Sequence, residues 1–401
     1  MSGDVVQTDV CIAGGGPAGM MLGMLLARSG IRVVIAEKHG DFLRDFRGDT
    51  VHPSTLALFD QLGLGSDLDA LPHRDVRTMT VTFAEGSYRL ADFGRLRVAH
   101  PVLRFMPQWH LLDLLARVGA RYPGFSLLRS HEAVGVLSDR GVVTGLRVRG
   151  ADREIDVRAY LTIGADGRTS TVREQVGLPV REFGAPMDVL WFRLPRRQGD
   201  SEGLDMRVGA GRLVLGIDRG DYWQLAYVIG KGADRVVRTA GLPAFRSSVA
   251  EVVPMLAERV ELIANWSEVK TLTVRLDRLT RWYAPGVLLI GDAAHAMSPI
   301  GGVGINLAVQ DAVATARILA RPIRERTLST RVLASVQARR RLPTVGTQLV
   351  QAAIQTSFLR EVVASHRPVA PPAALRILQR FPALQALPAR LIGIGLRPEH
   401  L

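Results

Sequence analysis

The chain is poorest in thiol and in lysine. Of its 401 residues only Cys11 carries a thiol, so no intramolecular disulfide can form and a zinc site of the Cys-rich kind is excluded. A reducing, cytoplasmic compartment fits that composition. Lysine occurs only at Lys38, Lys231 and Lys270, so 48 of the 51 basic residues are arginine, a skew of the genome-wide kind that carries little functional information. No basic segment followed by an apolar run and a cleavage site opens the chain, so no secretory signal is expected. Long hydrophobic runs are missing too: the longest uncharged stretch, residues 10–27, holds Gly14-Gly15-Gly16-Pro17 in its first half and would make a poor membrane span. No internal repeat and no low-complexity linker interrupts the chain.

What is there is ordinary globular material in an unusual charge state. At 401 residues the chain exceeds what one hydrophobic core usually supports, which predicts two or more domains. Hydrophobic residues at 47% and charged residues at 22% leave no compositional basis for disorder. The formal charge of +13 and the pI near 10.8 raise nucleic acid or an anionic membrane as partners. Most of the excess sits at the end, where residues 321–401 hold thirteen arginines against Glu325, Glu361 and Glu399. A nucleic-acid protein interleaves such charge with exposed aromatics or a recognisable module. This tail offers only Phe358 and Phe381, so nucleic acid is not expected as a partner.

Residues 8–13 form an apolar, β-branched run followed at once by glycines and then by residues 20–28 at helical length: strand, turn, helix. Gly30 closes that helix and residues 31–37 read as a second buried strand, which completes a βαβ unit and predicts a parallel sheet. Residues 53–63 and 109–118 read as helices, residues 76–83 alternate as a half-exposed strand, and residues 125–128, 133–137, 142–148 and 154–161 read as strands, with Asp139-Arg-Gly as a hairpin turn. A second strand-rich block, with runs at 187–194, 212–217 and 222–228, is antiparallel in style and contains a helix predicted over 244–260. Residues 286–291 then return to a buried strand, a glycine loop and a helix over 304–319. The expected fold is therefore α/β. A Rossmann-like nucleotide-binding domain is discontinuous in sequence (1–75, 100–180 and 281–320), a second domain is built on an antiparallel sheet (76–99 and 181–280), and a helical basic segment (321–401) closes the chain.

Three motifs carry chemistry. Gly14-x-Gly16-Pro17-Ala18-Gly19 sits between strand and helix, where Gly14 permits the tight turn, Gly16 lets backbone approach a pyrophosphate and Gly19 lets helix and strand pack closely. Glu37 ends the next strand, where a carboxylate accepts hydrogen bonds from a ribose. Gly164-Ala-Asp166-Gly-Arg168-x-Ser170-x-Val-Arg173 follows the apolar residues 159–163. Gly291-Asp292-Ala-Ala-His295, continuing through Pro299, Gly301, Gly302 and Gly304 to Ile305 and Asn306, puts a carboxylate directly after a buried strand and free backbone N–H groups at a helix start.

In this order and at these separations the motifs resemble the FAD-dependent aromatic hydroxylases and related single-component flavin monooxygenases, the superfamily of the para-hydroxybenzoate hydroxylase and ubiquinone-biosynthesis hydroxylase types. The resemblance covers roughly residues 5–320. Arg47-Gly-Asp-Thr-Val-His-Pro53-x-Thr55-Leu56 is similar to the family loop that runs beside the flavin. It implies FAD as cofactor, with Gly14, Gly16, Pro17, Ala18 and Gly19 at the pyrophosphate, Glu37 at the adenosine ribose with Lys38 beside it, and Arg47 near the pyrophosphate. It also implies Gln108 at the ribityl or pyrophosphate region, and Asp166 in a motif linked with both FAD and NAD(P)H. Gly291 and Asp292 would meet the ribityl or pyrophosphate part. Pro299, Gly302 and Gly304 would lie against the isoalloxazine, with Ile305 and Asn306 continuing the cofactor contacts. The activity implied is reduction of FAD by NADPH or NADH, reaction with O2 to a flavin C4a-hydroperoxide, and transfer of one oxygen to an aromatic or polycyclic small molecule.

No catalytic side chain and no metal ligand is singled out. His52 and the aromatics Tyr222, Trp223 and Tyr227 are the candidates for the substrate pocket, with core packing as the competing fate of each aromatic. His295, inside the third motif, reads as structural. A flavin-dependent reductase or dehydrogenase of the geranylgeranyl-reductase-like type shares the first and third motifs and stays open. In the tail, Arg376, Arg380 and Arg390 interleave with Leu375, Ile377, Leu378, Phe381, Leu384 and Leu387. This reads either as a helix closing over the domain or as a weak peripheral membrane contact, which would suit a lipophilic substrate.

Overall fold

The apolar runs that predicted a parallel sheet are in register. In the computed structural model, which describes residues 5–43 and 50–401, the strands Tyr283–Ala284, Val287–Leu289, Glu154–Gly164, Val5–Ala13, Val33–Glu37 and Phe125–Arg129 lie side by side in that order. Val142–Arg149 and Glu132–Asp139 extend the sheet as an antiparallel hairpin off Glu154–Gly164. Arg140 and Gly141 both take positive φ in the turn between them, as a two-residue hairpin loop demands. Ala13 pairs with Ala36 on one side and Gly164 on the other, and Gly164 pairs with Leu289. The three sequence motifs therefore begin within two residues of the same sheet edge, where open parallel sheets hold their ligands.

The helix Pro17–Arg28 is buried from Ala18 to Ala27, which explains why it is apolar on every face rather than on one stripe. It lies between the sheet and the helix Gly304–Arg324. Close packing depends on Gly23, where a Cβ would stand 2.5 Å from Ile35 Cδ1. Among the described residues only Ile300–Arg324 is long and apolar enough to cross a membrane, and 78% of that window is buried inside the fold. It is a core helix.

The second sheet runs Lys270–Leu272, Met187–Pro195, Tyr222–Gly230, Arg212–Asp218, Leu204–Gly209, Thr78–Phe83 and Gly86–Asp92. It is antiparallel except where Leu204–Gly209 meets Thr78–Phe83 in parallel. The exception has a simple cause: the hairpin at 78–92 reaches the sheet from a separate stretch of chain, so no tight turn forces its neighbour to run the other way. The predicted helix at 244–260 is shorter than expected. It spans Leu242–Val252 and stops where Val253 leaves helical geometry ahead of Pro254, because proline lacks the N–H that the next turn needs.

The C-terminal segment is helical, as expected: Thr330–Ile354, Arg360–Ala364, Ala373–Arg380 and Ala386–Gly393. It is anchored by buried charge. Asp311, with no exposure, receives the Gly291 N–H at 3.1 Å, His295 Nε2 at 2.6 Å and Arg340 Nε at 2.9 Å. Arg340 and Arg339 in turn hold the carboxylate of Glu399, which is 2% exposed. Burial alone would push the Asp311 carboxyl up, but His295 and Arg340 together hold it below its ordinary value.

Removing one partner of such a set strands the others. Asp311→Ala should cost about 3–5 kcal/mol in urea unfolding, whereas Arg197→Ala, at the exposed pair with Glu258, should leave the midpoint unchanged. The sign with pH follows from the lowered folded value. The Asp311 contribution is fully present above the unfolded carboxyl pKa of about 3.9 and is lost as pH falls through the folded one. An acid-unfolding curve that Asp311→Ala leaves unshifted would refute the assignment.

Candidate cofactor and substrate site

Gly14 opens the first turn at φ +97°, and a Cβ there would lie 2.5 Å from the Ala165 carbonyl oxygen. The second motif thus packs directly on the first. At Gly19 a Cβ would stand 2.0 Å from the Gly14 carbonyl oxygen, which only glycine allows. Gly16 differs: its φ is an ordinary −75° and a Cβ would meet nothing within 4 Å. The backbone there does not need glycine, so what the missing side chain leaves is open space at the start of a helix with no side-chain cap. Glu37, 8% exposed, folds over the same turn. It accepts the Gly15 N–H at 2.9 Å and the His39 N–H at 3.0 Å, and Lys38 beside it is exposed.

Asp166 does not face this space freely. It accepts the Ser170 hydroxyl at 2.5 Å and the Val172 N–H at 3.1 Å, so it fixes the start of the helix Thr171–Val176, and burial pushes its carboxyl up. The neighbouring Arg168 takes the outward role. Its Nε donates to Asp292 Oδ2 at 3.0 Å, and its buried Nη1 has no partner among the described residues. Gly291 lies against the first helix, where a Cβ would approach Ala18 Cβ to 3.1 Å.

Beyond Asp292 the chain turns at residues 299–304, with Gly301 and Gly302 at φ +76° and +61°, and enters Gly304–Arg324 without a side-chain cap. A Cβ on Gly304 would also meet open space. Two sets of groups hold this turn from behind. Gln351 accepts the Ser298 N–H at 3.1 Å and donates to the Ser298 and Ile300 carbonyls at 2.9 Å each. Gln348 donates to the Asp277 and Ala296 carbonyls, and Gln355 to Ser298 Oγ. On the other side the ring of His52, fully buried, has Nε2 3.0 Å from the Gly302 carbonyl oxygen and Nδ1 2.6 Å from that of Ile392. Ser54 and Thr55 bond the Asn306 side chain.

These features fit an extended dinucleotide carrying a diphosphate. An open, uncapped helix start receives the phosphates, a carboxylate fixed by two N–H groups waits at the end of the second strand, and a second uncapped helix start lies next to a rigid turn. The residues able to hold FAD are Gly14, Gly16, Pro17, Ala18, Gly19 and Glu37 at one end and Asp292, Pro299, Gly302, Gly304, Ile305 and Asn306 at the other. Gln108 begins the helix Gln108–Gly119, half-buried. Arg47 lies outside the described residues.

Of the substrate candidates, two are placed elsewhere. Trp223 and Tyr227 point to the far face of the second sheet and pack with Leu190 and Phe192 against Phe245 and Val249 of Leu242–Val252. Trp223 donates to Asp200 at 2.8 Å, and Tyr227 meets Phe245 edge to face at 5.5 Å. Strand alternation puts Gln224 and Ala226 on the opposite face. There the half-buried Trp191, Met206 and Leu215 bridge to the cluster that contains Ile217, Phe105 and Ile392. Tyr222 stays at the strand's beginning under the Arg193 guanidinium at 5.0 Å. His52, with both ring nitrogens engaged, is not a free base, and His295 is committed to Asp311.

Sequence reasoning quoted Arg168 within its motif without giving it a role, and missed Trp191, Met206, Leu215 and the three glutamines. Only the glutamines left a trace: positions 348, 351 and 355 share one helical face, which reads as a solvated stripe until the helix is seen to be buried there.

Known proteins agree with this geometry. A match to the FAD binding domain family spans residues 7–353. The 6-methylpretetramide 4-monooxygenase of Streptomyces rimosus is 35% identical over 97% of this chain and 93% of its own, and the 3-demethoxyubiquinol 3-hydroxylase of Escherichia coli is 26% identical over 83% and 85%. A crystal structure of a probable FAD-dependent monooxygenase from Pseudomonas aeruginosa superposes with a TM-score of 0.76 at 25% identity, covering 89% of this chain and 98% of that one.

Gly16→Val separates cofactor space from folding. Its backbone strains nothing, so the urea midpoint should stay near that of the parent, while FAD affinity by fluorescence quenching should fall at least tenfold. Unchanged affinity would place the phosphates elsewhere. Gln351→Ala strips three backbone groups of their partner and should destabilise by about 2 kcal/mol.

Proposed function

Because this chain belongs to the FAD binding domain family and is an FAD-dependent monooxygenase, we propose that it hydroxylates a ring of a polycyclic aromatic small molecule, consuming NADPH or NADH and O2. The observation that carries the substrate class is the broad apolar face of Trp191, Met206 and Leu215 on the side of the second sheet that joins Ile392 and Phe105. A flat, fused-ring molecule suits such a face. The full-length similarity to an enzyme named for a polycyclic substrate supports the same reading.

When bound, FAD supplies hydride acceptance and oxygen activation. The chain supplies the rest. The N–H groups at Gly16 and the first turn after it bind the diphosphate, and Glu37 orients the ribose. The N-terminus of Gly304–Arg324 would set partial positive charge beside bound FAD and so favour negative charge there. The glutamines keep the turn at 299–304 rigid, so that this charge costs no reorganisation when the reaction occurs. The Trp191 face excludes water, which would otherwise divert oxygen transfer into futile consumption of reductant.

The division into a nucleotide domain (1–75, 100–180, 281–320) and a substrate domain (76–99, 181–280) follows from this reading, with the reaction at their junction. A reductase of the same cofactor type would use the same diphosphate site, and the two differ in the fate of oxygen. Supplied with fused-ring phenols, NADPH and ¹⁸O2, the holoprotein should release a product heavier by one labelled oxygen. Reduced product without label would establish the reductase instead. Trp191→Ala should raise KM about tenfold and uncouple NADPH oxidation from product, whereas Trp223→Phe should lower stability and leave KM alone.

A second, weaker reading concerns the tail. Ile377, Phe381 and Leu387 are more than half exposed, at 51%, 56% and 64%, beside the exposed Arg380 and Arg390, although Leu375 and Ala389 are buried in the fold. A weak contact with anionic lipid follows from that surface. Sedimentation with phosphatidylglycerol vesicles at low salt should carry the protein down, and Phe381→Ser with Leu387→Ser should abolish it. A protein that stays in the supernatant at every salt concentration disposes of this reading.

A further inference from the structure

His52 lies between two carbonyl oxygens that belong to distant parts of the chain. Gly302, 3.0 Å from Nε2, is in the turn that faces the cofactor, and Ile392, 2.6 Å from Nδ1, is in the last helix, Ala386–Gly393. A carbonyl oxygen can only accept, so each contact needs an N–H on the ring, and only the imidazolium carries both. A neutral ring satisfies one carbonyl and turns a lone pair on the other.

The same few residues seal the tail against the site. Ser54 Oγ donates to the Gly393 carbonyl at 3.2 Å, and a Cβ on Gly393 would stand 3.0 Å from Pro53 Cγ and 3.2 Å from Phe93 Cδ1. We propose that His52 is a positioning residue that latches the C-terminal tail to the flavin-facing turn, closed by both ring nitrogens as the imidazolium and half-open when the ring is neutral. The proposal rests on the reading of residues 299–304 as the flavin-facing turn. The closed latch fixes the Gly302 carbonyl, and with it the course of the chain through two positive-φ glycines into the N-terminus of Gly304–Arg324.

Among the described residues no other charge on the surrounding elements competes for the ring. On its own helix Asp60 is paired with His100, and the turn at 299–304 has no charged residue. On Gly304–Arg324 Asp311 is held by His295 and Arg340, and near Phe93 Asp92 is held by Arg95. In the tail Arg390 and Arg397 are exposed, and Glu399 is held by Arg339 and Arg340. Burial, the largest influence, holds the ring's pKa below the ordinary histidine value although both carbonyls favour the charged form, so closure sets in only at pH below the ordinary histidine range.

The test uses the full-length protein and FAD itself. FAD Kd by fluorescence quenching is measured from pH 4.5 to 8 for the wild type, His52→Gln and Gly393→Val. In the wild type, Kd should fall along a one-proton curve as pH drops. His52→Gln keeps a donor but cannot titrate, so its Kd should be flat and roughly three- to tenfold above the wild type at low pH, the worth of one hydrogen bond. Gly393→Val, which drives the tail off Pro53, should match it. A wild type without the break, or either variant keeping it, overturns the proposal. Long-range ¹H–¹⁵N spectra of histidine-labelled wild type guard against variants that fail to fold. Both His52 nitrogens should be protonated below the break, and a ring that keeps one neutral tautomer throughout refutes the latch. FAD that binds at no pH would instead sink the cofactor reading, and the spectra, taken without FAD, would still decide the latch.

Discussion

A carboxylate sealed from water sets the terms for the rest of the molecule. Asp311 cannot lie in the core uncompensated, because a lone buried charge costs several kcal/mol, so its neighbours are obligatory rather than decorative. Its partners come from four separate places: the Gly291 N–H at the end of a central strand, His295 in the loop after it, Arg340 in the next helix and, through Arg340, Glu399 near the chain end. The cofactor loop and the tail are therefore solved together. A tail that stayed in solvent would leave Arg340 half paired inside the protein.

Around that centre the site is assembled from strand ends. Ala13, Ala36, Gly164 and Leu289 are held in one row by parallel pairing, and each is followed by a motif whose backbone must turn or open. The result has little to do with side-chain chemistry at the phosphate end and much to do with where Cβ atoms are missing. At the other end, rigidity comes from side chains: tail-helix glutamines that grip carbonyls and N–H groups of the turn, and His52, at the start of Pro53–Gln61, between two carbonyls. A segment that composition presents as a basic, amphipathic appendage thus serves as the back wall of the turn at 299–304.

How much could be read beforehand depended on the kind of constraint. Gly14 and Gly19 were legible because their duties are local: one needs a left-handed φ, the other has no room for a methyl. Glu37 was legible as a strand-end acid beside the glycine turn, where it accepts the Gly15 and His39 N–H groups. The strands and helices of the nucleotide domain announced themselves by period, and Pro254 shows the usual boundary error, a helix continued in the reading past the residue that stops it. Asp166 was read only as part of a cofactor motif, and its bonds to the start of Thr171–Val176 could not be told from that pattern, since both uses ask for an acid after a strand. Trp223 and Tyr227 met the core-packing fate that competed with a pocket role, while Trp191 went unnoticed, because alternation says that two faces exist without saying what each one meets.

The chain alone carried its fold class and the positions that must be glycine, for these follow from hard-sphere limits on the backbone and from the period of the apolar residues, while its resemblance to flavin monooxygenases carried the cofactor type. Those constraints act within a few residues and survive in any context. Which side chains share each face of the second sheet, whether an arginine-rich tail leaves or returns, and what His52 touches were settled by tertiary structure. Gly302 and Ile392 lie 250 and 340 positions away from that histidine, and no local pattern can encode a contact whose two halves meet only after both sheets and the tail have packed.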